Sequence, residues 1–268
     1  MNFKSLLLTC SFALSVSFSL AQRVSVYPTM LHYNANIGQS SVQTLTMTNM
    51  SDKKQAFKLS LGDWERDSVG NHRYFSAATT SRSCAEWIKP ETDFVEIEPG
   101  QAKTVRIALN VPPTPEAVKE AKWAMLFVEN AMEQVGSGNN GKGVNTTVME
   151  VYRIGIHIYQ TPPQVNQDAA RAISLKADPA KKGTYHFTMA NTGNTMLDCK
   201  LRLEMTDMEN GKVINLPTVE FPVFPDAKRT VDFTLPAEVP RGKYSFIALL
   251  DYSESMPLEA IEAIIDIK

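Results

Sequence analysis

Apolar and polar residues alternate one by one through much of this chain. Between residues 105 and 111, Val105, Ile107 and Leu109 alternate with Arg106 and Ala108. A period of two places the apolar residues on one face of a β-strand. The same period predicts strands at 23–26, 31–33, 41–49, 55–61, 94–97, 185–189, 197–205, 230–235, 243–251 and 260–267.

Turn-forming residues separate these alternating segments. Pro99 and Gly100 suit the second and third positions of a type II turn, because proline fixes φ near −65° and glycine accepts a positive φ. Gly70, between Val69 and Asn71, indicates a hairpin. Only residues 116–122 suggest a short helical turn. Short strands at this spacing predict an all-β fold with two immunoglobulin-like β-sandwich domains in tandem.

The longest alternating segment covers residues 144–159. It follows a Gly- and Asn-rich stretch, 133–147, which we interpret as a mobile loop. The even-numbered apolar residues of the segment share one face, and the odd-numbered residues share the other. The first face carries Val148, Tyr152, Ile154, Ile156 and Ile158, and the second carries Met149, Val151, Arg153, His157 and Tyr159.

The first residues resemble a cleavable signal peptide. Lys4 precedes an apolar stretch, and Ser19 and Ala21 are the small residues that signal peptidase requires. We therefore predict a signal peptide at 1–21, which implies an exported protein. A lipobox ending at Cys10 is the alternative interpretation, although little apolar sequence precedes it. No later segment is apolar enough to predict a membrane span.

The remaining chain has the length of two domains. Pro162 and Pro163 stiffen a polar segment, 160–172, which we interpret as the linker. The predicted domains are therefore 22–162 and 163–268. Cys84 and Cys199 fall in different domains, which favours two buried free thiols over a disulfide.

Charge and motifs favour protein binding over catalysis. The formal net charge is −2, which gives no indication of nucleic-acid binding. Residues 136–142 resemble a phosphate loop, but Gly143 replaces its Ser or Thr. Asp63, Glu65 and Asp67 have the spacing of calcium ligands, but a solvated hairpin rim explains them better. The histidines, at 32, 72, 157 and 186, are scattered. We predict no enzyme, no metal and no cofactor.

Several stretches, in this order, resemble the PapD-like periplasmic pilus chaperones. The resemblance covers about the first half of the exported chain, and the second half is similar only in being a smaller β domain. The stretches are "VSVYPTMLHYN", "LTMTNMSDKKQAFKL", "IEPGQAKTVRIA", "KWAMLFVENA" and "VYRIGIHIYQTPP".

The resemblance implies a mechanism. The last strand of the first domain would be an exposed edge that adds to a partner lacking a strand, and its alternate apolar side chains would fill the partner's groove. The implied contact residues are Val148, Tyr152, Arg153, Ile154, Ile156 and Ile158.

The resemblance also implies a basic pair that holds the partner's terminal carboxylate. One member belongs to the first strand and the other to the last strand. Here Met30 occupies the first position, and Arg153 is the candidate for the second. Half of this anchor is therefore missing.

The predicted function is a chaperone-like protein that binds exported subunits, such as a pilin, an adhesin or a component of a secretion complex. The alternatives are an accessory or structural subunit of an envelope secretion or adhesion complex, and a small-molecule-binding or hydrolytic sandwich.

Overall fold

The structure is a computed structural model that describes residues 24–135 and 147–267, with side chains except at 131–135 and 147–151. The chain folds into two immunoglobulin-like β-sandwiches, as the alternation predicts. Strands β1 to β10 form the first sandwich and strands β11 to β18 form the second. In the part of the chain that the structure describes, no helix is long and apolar enough to cross a membrane.

The first sandwich packs a four-stranded sheet, in the order β1-β3-β8-β6, against a six-stranded sheet, in the order β2-β10-β9-β4-β5, in which β7 also pairs with β4. Its core contains the apolar face of each strand, including Leu45, Phe57, Ile107 and Leu126. The strands are β1 (Val24–Tyr27), β2 (Met30–Tyr33), β3 (Ser40–Asn49), β4 (Gln55–Arg66), β5 (His72–Ser76), β6 (Ile88–Pro90), β7 (Phe94–Ile97), β8 (Ala102–Asn110), β9 (Lys122–Val135) and β10 (Thr147–Gln160).

The predicted turn at Pro99-Gly100 is confirmed. Gly100 has a φ of 68°, and the amide of Gln101 donates to the carbonyl of Glu98 across 3.1 Å. The turn does not close a hairpin, because β7 pairs with β4 while β8 pairs with β3 in the opposite sheet. The turn is therefore a corner at which the chain passes from one sheet to the other.

The second sandwich packs a three-stranded sheet, in the order β11-β12-β16, against a five-stranded sheet, in the order β14-β13-β17-β18, in which β15 also pairs with β13. Phe187, Leu201 and Phe246 are fully buried between the sheets. The strands are β11 (Ala170–Ala177), β12 (Thr184–Asn191), β13 (Leu197–Asp207), β14 (Val213–Asn215), β15 (Val219–Val223), β16 (Lys228–Thr234), β17 (Gly242–Asp251) and β18 (Glu259–Ile267).

Three local predictions need correction. Strand β4 runs on to Arg66, because its second half pairs with β5 in the hairpin around Gly70. Strand β11 begins at Ala170, inside the predicted linker, because it pairs along β12. The predicted helical turn is a shorter 3-10 helix at Pro115–Val118. The signal peptide and the phosphate-loop-like stretch lie outside the described residues.

The two sandwiches contact each other directly. Phe224 of the second stacks on Trp123 of the first, with ring centroids 4.4 Å apart. A guanidinium nitrogen of Arg82 lies 2.5 Å from a carboxylate oxygen of Asp226. At a third point, the amide of Thr230 donates to the carbonyl of Ser68 in the β4–β5 hairpin across 2.7 Å. We call this contact region the junction.

Candidate functional site: the outer edge of strand β10

Strand β10 has one fully paired edge and one largely open edge. Along one side it pairs with β9 at every position from Thr147 to Gln160. On the other side it pairs with β2 only at the four residues from His157 to Gln160. Among the strands that the structure describes, none covers residues 147–156 on that side.

The outer half of the β9–β10 hairpin is a two-stranded ribbon. Strand β4 pairs with β9 only from Met125 to Glu129, so residues 130–135 of β9 pair only with β10 within the described strands. A two-stranded ribbon is marginally stable by itself and gains from a third strand. The open edge offers unpaired N–H and C=O groups to such a strand.

The even-numbered face of β10 changes from buried to exposed along the strand. The side chains of Ile156 and Ile158 are 0% exposed in the core of the first sandwich. Ile154 packs partly against the same core, whereas Tyr152 is 45% exposed. The side chain of Val148 lies outside the described residues.

This gradient corrects the set of predicted contact residues. Ile156 and Ile158 belong to the core of the first sandwich, because the opposing sheet covers this end of β10. They are therefore not side chains that a partner's groove can receive. Tyr152 and Ile154 are the described apolar side chains that remain at the open part of the edge.

Arg153 lies on the opposite face and already has partners. It forms an ion pair with Glu129, its register partner on β9. Its guanidinium carbon lies 4.7 Å from the centroid of the Phe127 ring, at cation–π distance. The side chain is still 58% exposed, so the guanidinium can be reached from solvent.

Arg153 does not lie opposite Met30. The register partner of Met30 on β10 is His157. Arg153 comes four residues before His157 on the strand, a separation of about 13 Å. The candidate Arg153 therefore does not face Met30 across the two strands, and the residue that does is His157, an imidazole.

Two of the scattered histidines, His72 and His157, meet in space with ring centroids 5.5 Å apart, which sequence analysis missed. We define the junction cluster as Trp64, His72, His157, Tyr159 and Phe224. Its ring centroids are 4.4 Å apart for Trp64 and His157, 5.0 Å for Trp64 and His72, and 5.1 Å for Trp64 and Phe224. The sequence pattern that could have indicated this cluster is the odd-numbered face of β10, which carries His157 and Tyr159 opposite the core face.

Burial keeps the imidazoles of the junction cluster neutral. It lowers the pKa of His157 to about 4, with smaller contributions from the nearby His72 and the positive charge of Arg66. Burial also lowers the pKa of His72, and the positive charge of Arg66 lowers it further. Neither imidazole therefore supplies a permanent positive charge at neutral pH.

Asp63 is a buried structural carboxylate and not part of a solvated rim, which corrects the sequence interpretation. It is 0% exposed and accepts hydrogen bonds from the amides of Thr79 and Thr80, at 2.8 and 2.9 Å. The hydroxyl of Ser83 donates to its other oxygen across 2.6 Å. These bonds hold the loop that carries Arg82 to the junction.

The described residues contain no group of three or more His, Cys, Asp or Glu side chains that could hold a metal ion. Cys84 and Cys199 are unpaired and buried in different sandwiches. Burial raises the pKa of both thiols, to about 12 for Cys199. Neither is therefore a reactive thiolate at neutral pH.

No protein-family model and no curated protein matches the chain. Solved structures do match it. One is a chaperone–tip adhesin complex of CFA/I fimbriae biogenesis, with 10% identity and a TM-score of 0.49, covering 91% of this chain and 98% of that one. A second is the CsuC–CsuE chaperone–tip adhesion subunit complex of the archaic Csu pili of Acinetobacter baumannii, with 12% identity and a TM-score of 0.47, covering 89% and 97%. A third is the class 5 fimbriae chaperone CfaA, with 12% identity and a TM-score of 0.44, covering 90% and 98%.

Proposed function

We propose that this protein is a periplasmic, non-catalytic, chaperone-like protein that binds exported subunits by strand addition to the outer edge of β10. The observation that carries the proposal is the pairing of β10, which is complete along β9 but limited to His157–Gln160 along β2. The sequence resemblance to pilus chaperones suggests the class of client, an exported pilin, adhesin or secretion-complex subunit.

Strand addition suits this edge energetically. Each backbone hydrogen bond to an added strand contributes about 1 kcal/mol. An added strand also shields the exposed part of Tyr152 and the half-buried Ile154 from water, at about 25 cal/mol per Å² of apolar surface. The two-stranded ribbon becomes three-stranded, which favours the bound state further.

An open edge with apolar side chains is an aggregation hazard that proteins normally cover. The described part of the β10 edge presents Tyr152, which is 45% exposed, and the partly buried Ile154. Covering this edge by a client strand would remove the hazard, which supports a binding role for the β10 edge.

Arg153 has a supporting role in this proposal. Its exposed guanidinium lies beside the open half of β10, where it can attract an acidic group on the client. Its ion pair with Glu129 would then be exchanged for one with the client, so the net gain is small. We therefore expect Arg153→Ala to weaken capture only a few-fold.

The experiment compares client capture by tagged variants in the periplasm of the source organism. Tyr152→Asp and Ile154→Asp place a charge at the open edge and should abolish capture. The matched control is Phe94→Asp, since Phe94 is an aromatic residue of the same sheet that is exposed on β7. Capture of the same client by all three variants would rule out strand addition at this edge.

The same experiment distinguishes the alternative function. A chaperone should release its clients, so several subunits are recovered in amounts that vary with their expression. A structural subunit of an envelope complex should be recovered with one partner at a fixed stoichiometry. The edge variants test strand addition in either case.

A further inference from the structure

Strand β18 is the outermost strand of its sheet and has one open edge. Every residue from Glu259 to Ile267 pairs with β17. Among the strands that the structure describes, none pairs with the other side of β18. The pairing with β17 runs through nine residues in one register, so the strand is straight. Its open edge therefore presents a regular row of N–H and C=O groups that an added strand could bind.

Several other outer strands carry features that oppose such pairing. Strand β11 has a register shift between Ala172 and Ser174, and the Ala172 amide donates to the Glu259 carboxylate across 3.1 Å. Strand β16 is covered at Thr230, whose amide is bonded to the carbonyl of Ser68. Strands β6 and β14 have only three residues each. Bulges, covering loops and short length are means by which proteins protect sheet edges.

Strand β18 has little protection of this kind. It contains no proline, lysine or arginine between residues 259 and 267. The carboxylate of Glu262 accepts a hydrogen bond from the hydroxyl of Ser245, on the inner neighbour β17, across 2.6 Å. Glu259, at the beginning of the strand, accepts the backbone amide of β11 described above, and this contact adds no backbone pairing to β18. Asp266, near the other end, lies opposite Lys243 of β17.

Exposed apolar side chains gather on the same side of the second sandwich. Strand β11, strand β18 and the loop that joins β17 to β18 carry four of the six large apolar side chains that are exposed among its described residues. These four are Ile173, Met256, Leu258 and Ile264. Ile264 is 59% exposed and lies in the middle of β18. Exposed apolar side chains that gather in this way are a feature of interaction surfaces.

The sequence of β18 is complementary to itself. Two copies related by a two-fold axis place their β18 strands antiparallel. When Ala263 faces Ala263 of the partner subunit, Glu262 faces Ile264 of the partner subunit, and no two acidic residues are opposed. Moving the axis by one residue would oppose Glu262 either to Glu262 or to Asp266 of the partner subunit, which is unfavourable.

The register centred on Ala263 also covers apolar surface. On the core side, it places Ile261 opposite Ile265 of the partner subunit, and both side chains are only partly buried in a single copy. On the solvent side, Ile264 and Ile264 of the partner subunit become diagonal neighbours, within reach of long side chains. The two five-stranded sheets would join into one continuous sheet.

We propose that the open edge of β18 pairs with β18 of a second copy of this protein, antiparallel and centred on Ala263, to form a symmetric dimer. The contact belongs to the second sandwich and leaves the β10 edge of each first sandwich open. The dimer therefore does not depend on strand addition at β10, and either proposal can fail without the other.

Sedimentation velocity of the purified exported protein between about 1 and 100 µM tests dimer formation, because a single pair of strands should associate in this range. The wild type should show a reversible equilibrium between monomer and dimer. A monomer at all concentrations would overturn the proposal. Protection of β18 amides from hydrogen exchange only when a client is bound would assign the edge to the client and would also overturn it.

Two substitutions of Ile264 test the register. Ile264→Asp places a carboxylate opposite Glu262 of the partner subunit, twice in each dimer, and should weaken dimerisation at least about tenfold. Ile264→Lys places an ammonium group opposite the same glutamate and should change the dissociation constant less than about threefold. Equal weakening by both substitutions, or no effect of Ile264→Asp, would contradict the pairing.

The matched control is Val213→Asp, because Val213 is 52% exposed on β14, at the opposite edge of the same sheet. It should leave dimerisation unchanged. Thermal midpoints measured at the lowest concentration check that all three variants fold. Ile264→Asp should also capture clients as the wild type does, since β10 is intact.

Cysteine cross-linking tests the symmetry axis. Opposed residues in an antiparallel pair have Cα atoms about 4.5–5.5 Å apart, which suits a disulfide. Ala263→Cys should therefore give a covalent dimer under mild oxidation. Ala260→Cys should not, because the two residues at position 260 would lie about 20 Å apart. Equal cross-linking of both variants, or cross-linking of Ala260→Cys alone, would overturn the proposed pairing.

Discussion

His157 of β10 is the register partner of Met30 of β2, and this pair marks the point where the outer edge of β10 changes from paired to open. On one side of the pair, β2 covers the strand as far as Gln160. On the other side of the pair, residues 147–156 have no strand neighbour on their outer edge among the strands described, although β9 pairs with their inner edge. The same histidine faces the junction, so the open edge and the contact between sandwiches begin at one residue.

The neutral state of His157 predicts a pH dependence of stability. Its pKa is lowered to about 4 in the folded protein, below the value of about 6.5 in an unfolded chain. The unfolded state therefore binds more protons between these values, and stability falls as the pH decreases from about 6.5 to about 4. Allowing for partial exposure, the loss should be at most about 2 kcal/mol.

Urea unfolding of wild type and His157→Gln between pH 4 and pH 7 measures this effect. The His157→Gln variant should lose most of this pH dependence of the free energy of unfolding. His186→Gln is the control with the opposite pH dependence, because Asp232 and Asp178 raise the pKa of His186. The stabilisation that protonated His186 provides is fully present below about pH 6.5 and is lost as the pH rises through the raised pKa. An unchanged slope in His157→Gln would contradict the assignment of a buried neutral imidazole.

Phe224 should couple the unfolding of the two sandwiches. It stacks on Trp123 and contacts Trp64, so Phe224→Ala removes the aromatic contact between them. We expect the substitution to lower the free energy of unfolding of the junction and the second sandwich together by about 3–5 kcal/mol. Calorimetry should then resolve two transitions where the wild type shows one. Phe94→Ala, at an exposed aromatic residue, should leave the transition unchanged.

The sequence was sufficient to predict the two-sandwich fold and most strands, because their apolar residues alternate with period two. The pattern could not separate β11 from the linker. Of its apolar side chains only Leu175 is fully buried, and its strand pairing comes from β12. The corner at Gly100 was predicted because its positive φ requires a particular residue type. Which sheets this corner connects could not be predicted, because strands that pair in a sheet are distant in sequence.

The candidate site was predicted less completely than the fold. Alternation identified β10 and its two faces, but it could not show that Ile156 and Ile158 are enclosed while Tyr152 is exposed. That difference depends on how far the opposing sheet extends. The meeting of His72 with His157 joins residues from distant strands, so no local pattern could indicate it.

Asp63 should be essential for the loop that carries Arg82. Asp63→Ala leaves the amides of Thr79 and Thr80 without an acceptor. We therefore expect the free energy of unfolding to fall by about 2–4 kcal/mol. Asp63→Asn keeps one acceptor oxygen and should lose less. Limited proteolysis between residues 77 and 84 and urea unfolding measure the effect. Equal stability of the alanine variant and the wild type would show that the buried carboxylate does not hold the loop.

Hydrogen exchange along β10, measured before and after client binding, tests the central claim most directly. In the free protein, about every second amide between residues 147 and 156 should exchange rapidly, because alternate amides face the open edge. In the isolated complex with a client, these amides should become protected, while the exposed strand β5 on the far side of the sheet should not change. Rapid exchange of the β10 edge amides in a stable complex would contradict strand addition.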